Sequence, residues 1–123
     1  MKLRARLAAL LPLTIAATTL AVTPAAMADT QGAAAECYHP WWENKDSDTG
    51  KTYEGSYSIR TGPNQGCPTV TPVIQSNVLF YHCFVTNSAG NTWTHVRVNM
   101  SGNDYWGWIW DGNLTDNGSK VRC

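Results

Sequence analysis

Tyr105-Trp106-Gly107-Trp108-Ile109-Trp110 sets three tryptophans at a spacing of two. Side chains alternate between faces along a β-strand, so the three indoles share one face if this stretch is extended. A second aromatic and β-branched run, Trp93-Thr94-His95-Val96-Arg97-Val98, lies just upstream across the polar segment Asn99–Asp104. Pairing Val98 with Tyr105 puts Val96 opposite Gly107 and Thr94 opposite Ile109 on one side. The other side then holds Trp93 with Trp110, His95 with Trp108, and Arg97 with Trp106. The first set is small and aliphatic, suited to the inside of a tight sheet, and the second is aromatic or cationic. A slip of one residue would mix the two sets, so the pattern fixes this register. It predicts Arg97 on the Trp106 face, a cation–π contact worth ~0.5–1 kcal/mol when exposed.

Outward from these two runs the chain reads as all-β. Turn residues interrupt it at short intervals and no helical period shows. Tyr53 to Arg60 alternates, with Tyr53, Tyr57 and Ile59 on one face. Thr61-Gly62-Pro63-Asn64 ends that strand. The segment onward to Pro72 reads as a long loop containing Cys67. Val73 to Val85 is apolar on both faces and reads as one covered strand. Asn87–Asn91 is a turn, and Asp111-Gly112-Asn113 breaks the last long strand before Leu114.

The first 28 residues read as a secretory signal. Lys2, Arg4 and Arg6 precede an apolar run from Leu7 to Val22 and a small-residue exit at Ala26-Met27-Ala28. Cleavage there removes three of nine basic residues and none of nine acidic ones, leaving a net charge of −3. A mildly acidic chain without a basic run argues against nucleic acid or an anionic membrane surface as partner. Residues 29–50 form an amino-terminal extension carrying Trp41-Trp42, and residues 51–123 the domain. One small domain of this size is read as a monomer.

Cys37, Cys67, Cys83 and Cys123 all follow the signal, and an even count in a small exported chain implies two disulfides. Joining the two ends, Cys37 to Cys123 with Cys67 to Cys83, and pairing in sequence order are both open. Zinc is not expected, because no C-x-x-C pair is present. Asn44–Gly50 spaces oxygen ligands like a calcium loop, but its glycine is one position late and Gly55 stands where the closing glutamate belongs, so it reads as a solvated turn. No cofactor or metal is assigned. No Gly-x-Ser-x-Gly elbow or free thiol suggests a nucleophile, and the carboxylates Asp104 and Asp111 are a weak signal for glycoside cleavage.

Three motifs in order resemble bacterial Src-homology-3 domains. Tyr57-Ser58-Ile59-Arg60-Thr61-Gly62-Pro63 is similar to their opening strand and turn. Trp93-Thr94-His95-Val96-Arg97 is similar to their tryptophan-containing middle strand. Trp106-Gly107-Trp108-Ile109 is similar to their Gly-Trp strand, with Leu114 where a last short strand begins. The resemblance implies a small, strongly bent β-barrel of about five strands. It also implies an exported, non-catalytic module that binds cell-wall peptidoglycan or short peptides. The expected ligand-binding residues are Trp93, His95, Arg97, Trp106, Trp108 and Trp110, stacking and orienting a glycan or peptide. The alternative is an extracellular inhibitor or effector that docks a protein partner, and Trp41-Trp42 covering the indole row as a second small core is the competing structural reading.

Overall fold

The structure, a computed structural model, describes residues 36–37 and 41–123. The expected signal segment lies outside the described residues, as does most of the extension before Trp41. Six strands follow in order: β1 (Thr49–Gly50), β2 (Ser56–Arg60), β3 (Thr69–Ile74), β4 (Leu79–Thr86), β5 (Thr92–Met100) and β6 (Asn103–Trp110). A 3₁₀ turn spans Asp111–Asn113. The strands form one antiparallel sheet in the order β1-β4-β5-β6-β2-β3, with β1 and β3 at its edges. The short β1 comes from the expected extension and makes the count six rather than five.

The β5–β6 hairpin has the register the sequence specifies, from Trp93 opposite Trp110 through Val98 opposite Tyr105. Pairing continues past the expected polar loop to Met100 opposite Asn103. Only Ser101 and Gly102 remain in the turn, both with positive φ (53° and 84°). That handedness matches the twist of the flanking strands, which is why so tight a turn closes here.

On the inner side Val96, Val98 and Ile109 join Ile59, Val73, Leu79, Tyr81 and Leu114 in one buried core. Gly107 faces this side because β2 passes directly over it. A Cβ there would lie 2.5 Å from the Arg60 carbonyl oxygen and 2.7 Å from Ile59 Cγ2. Strand β2 pairs with β6 only at Arg60–Trp108 and then with β3 along its whole length. The sheet thus bends back over its own core at a glycine.

Three sequence expectations are corrected. The Tyr53–Arg60 strand starts only at Ser56, because Gly55 has φ of 119°. The loop expected up to Pro72 instead contains the start of β3, where Pro72 is tolerated because β3 is a sheet edge. Val73–Val85 is not one strand but the end of β3, a turn, and β4. The turn is closed by Asn77, whose side-chain oxygen accepts the Ile74 N–H at 2.8 Å while its own N–H donates to the Ile74 carbonyl at 2.9 Å.

The disulfides pair in sequence order, Cys37 with Cys67 and Cys83 with Cys123. The second ties the chain end to β4, where Arg122 forms a parallel bridge with Phe84.

Candidate aromatic binding face

The outer face is best read as cross-strand rows, since directly opposed residues share a face. The first row is Phe80 on β4, Arg97 on β5 and Trp106 on β6. The second is Cys83, His95, Trp108 and Arg60. The third is Val85, Trp93 and Trp110. The six residues expected to bind ligand therefore do share one face, but they divide by exposure. Trp93, His95 and Trp108 are buried, Arg97 and Trp110 are half-buried, and Trp106 is 48% exposed.

The middle row is covered from outside by Trp42. Its indole lies flat over His95, with centroids 4.0 Å apart at 12°, and over His82 at 4.9 Å and 19°. The edge of the His95–Trp108 contact lies beneath, at 5.0 Å and 75°. The residues around Trp42 are strapped down along β4. Lys45 and Asp46 both donate their N–H groups to the His82 carbonyl, at 2.9 and 2.8 Å. Tyr81 N–H donates to the Asp48 carbonyl at 2.9 Å, and the Glu43 N–H donates to Cys83 Sγ at 3.4 Å. The outer surface of Trp42 stays 40% exposed, and Trp41 stands 86% exposed beside it.

His82 follows Phe80 onto the outer face by alternation and sits at a β-bulge. The ladder shifts between Tyr81 and Cys83, so two residues of β4 oppose one of β5. His82 Nδ1 then lies 2.8 Å from His95 Nδ1. The two rings are 28° from parallel with centroids 5.0 Å apart, so they lie edge to edge as a plate under the indole. One Nδ1 must carry a hydrogen and donate while the other accepts. Burial, and then the nearby His82, push His95 down to about 3. Burial, and then Arg97, push His82 down as well. Both effects hold the pair neutral.

Arg97 does not lie on Trp106 as expected. Its guanidinium sits over the Phe80 ring, 4.3 Å from the centroid, and donates to Asp104 at 3.1 Å. Asn99 donates to the same carboxylate at 2.9 Å, so the cation is held from β6 and stacked toward β4. Trp106 is left with its face open. A small polar cleft of about 210 Å³ borders this row, between Phe80, Arg97 and the Asn44–Asp48 segment.

The Asn44–Gly50 segment is used internally. Ser119 donates its hydroxyl to Asp46, whose other oxygen accepts the Asp48 N–H. Ser119 N–H donates to Thr94 Oγ1, and that hydroxyl donates to Asp111 at 2.6 Å. This buried chain clasps the carboxyl-terminal segment between the strap and β5. Asp111 and Asp104 sit at opposite ends of β6, about 20 Å apart at the rise of a strand. A glycosidase pair needs roughly 5–9.5 Å, so these two cannot act on one bond.

Sequence reasoning missed Phe80 as a working part of the face and the pairing of His82 with His95; the Trp41-Trp42 cover it raised as the competing reading is met in part, by Trp42 over the middle row. Phe80 shows only as one of many apolar residues in its strand, and the contact of His82 with His95 depends on the β4–β5 register, which neither run sets alone.

No protein-family model matches the chain, and no curated protein or solved structure matches it either.

Proposed function

We propose that this chain is a secreted, monomeric, non-catalytic binding module, built as a strongly bent Src-homology-3-like barrel. Its outer aromatic face binds cell-wall peptidoglycan or another extracellular glycan or peptide. The observation that carries the reading is the open row Phe80–Arg97–Trp106 beside Trp41 and Trp42. A small domain seldom leaves aromatic surface uncovered without a partner for it. Here the face is also prepared. Arg97 is fixed by Asp104 and Phe80, and Trp42 by the histidine plate, so little order is lost on binding. Two disulfides suit an oxidising compartment, and no helix among the described residues is long and apolar enough to cross a membrane. The crossing of β2 over Gly107 supports the bent barrel.

Sedimentation with insoluble peptidoglycan tests this. The protein should pellet with the polymer, and Trp106→Ala should lower the bound fraction without lowering the thermal midpoint. Clearing of the suspension would point to a hydrolase instead. Neither pelleting nor clearing would shift the reading to a protein partner.

A further inference from the structure

At the far end of the same face lies a second cleft, of about 260 Å³. We propose that it is a subsite for a single pyranose ring, stacked on Trp110. The inference rests on the binding-module reading and names the chemistry of one part of its ligand.

The cleft is built rather than incidental. Trp110 is half-buried, and its ring lies against Gly112, where a Cβ would come within 2.5 Å of Trp110 Cη2. The 3₁₀ turn that contains Gly112 therefore backs the indole, and Asn113 follows at the cleft rim. Trp93, buried beside Trp110 across the β5–β6 ladder, completes the floor. On the opposite wall Arg60 donates from Nη1 to the Cys67 carbonyl at 2.9 Å, and Cys67 is held by its disulfide to Cys37. The loop that carries Gln65 is knitted by its own backbone, with Thr61 donating to Pro68 and Cys67 donating to Asn64. Asn64 also accepts the Gly66 N–H on its side chain.

The lining chooses the ligand. The cleft has an indole floor, two amides (Gln65 and Asn113), Ser56, Ser58, Tyr57 and one guanidinium, with no carboxylate and no lysine among the described residues. A pyranose ring has an apolar C–H face and a rim of hydroxyls that both donate and accept. Amides and hydroxyls also do both, and an indole suits the C–H face. An amine-bearing peptide would need a carboxylate, which the cleft lacks. Its volume falls just below the usual small-molecule range of roughly 300–1,000 Å³, which limits it to one ring of a longer chain.

The test is an NMR titration of the ¹⁵N-labelled protein with chitotetraose, with cellotetraose and, as a sugar-free control, with tetraalanine. At least one sugar should give saturable shifts of the Trp110 indole N–H and of the Gln65 and Asn113 side-chain amides. Trp110→Ala should weaken binding at least tenfold, and Trp110→Phe should restore part of it. Gln65→Ala, on an exposed loop where folding is not at stake, should weaken it several-fold. The inference fails if neither sugar saturates the cleft by about 10 mM, a limit weaker than millimolar affinity. It also fails if tetraalanine gives the same shifts, or if all shifts gather at Phe80 and Trp106. In those cases retained pelleting with peptidoglycan would keep the module reading alive, and lost pelleting would end both.

Discussion

His82 and His95 hold one hydrogen between two nitrogens 2.8 Å apart, under an indole and away from water. A second proton has no place there without breaking that bond or charging the plate. Both histidines titrate below their ordinary value when folded, so the unfolded chain binds protons first as pH falls. Stability should therefore be full above about pH 6.5 and fall as pH drops toward the folded value of about 3 for His95. Asp111 works in the opposite direction, since burial raises its carboxyl, but it does so nearer the carboxylate range. Between pH 6.5 and 5 the histidines dominate. Urea midpoints measured across that window should decline, and His95→Phe should flatten the decline. A wild-type midpoint constant from pH 7 to 5 would mean that the pair takes up protons freely in the fold. The place of His95 on the aromatic face was legible in the sequence, because the register needs only the contrast between small and aromatic positions. Its partner was not. His82 alternates onto the face of Phe80, but its contact with His95 depends on the pairing of β4 with β5, a register between two runs that neither run sets alone.

At the scale of elements, glycines and turns decide how the sheet bends. Gly107 could be read in advance as the small residue opposite Val96, but not as the crossing point of β2, which is a contact between distant parts of the chain. The division of Val73–Val85 was within reach, since Gln75-Ser76-Asn77 is a polar turn triplet inside an apolar run. The apolar content of the run outweighed it. Gly107→Ala should lower stability by about 2–3 kcal/mol, because a methyl against the Arg60 backbone must push β2 off β6. Gly50→Ala should also be harmful, since its Cβ would overlap the Tyr81 hydroxyl, which donates to Asp116 at 2.7 Å. Ser101→Gly should go the other way. Ser101 has φ of 53°, and glycine there relieves the left-handed strain by about 0.5–1 kcal/mol. Denaturant unfolding of the three variants checks the order Ser101→Gly above wild type above both alanines. An unchanged Gly107→Ala midpoint would mean that β2 does not depend on this close approach.

For the molecule as a whole, the two disulfides do different work although their loops are alike. They span 30 and 40 residues, so chain entropy assigns each about 3.5–4 kcal/mol. The native surroundings separate them. Cys83 is fully buried in the row with His95 and Trp108, its sulfur accepts the Glu43 N–H, and Cys123 donates its N–H to the Phe84 carbonyl. That bond joins the strap, the middle row and the chain end. Cys67 instead sits at the base of the loop that walls the Trp110 cleft, where its carbonyl fixes Arg60. Removing the Cys83–Cys123 bond should loosen the Trp42 cover and the middle row together. Removing Cys37–Cys67 should free the loop while the core stays intact. In calorimetry the double variant Cys83→Ala/Cys123→Ala should lose more in Tm than Cys37→Ala/Cys67→Ala. Each kcal/mol corresponds to about 4–8 °C in a domain of this size. The second double variant should still unfold in one sharp transition, but with broadened NMR signals confined to the Thr61–Pro68 loop and the Trp110 indole. Equal Tm losses, with disorder spread across the sheet in both, would show that neither bond has a local role and that both act only on the unfolded chain.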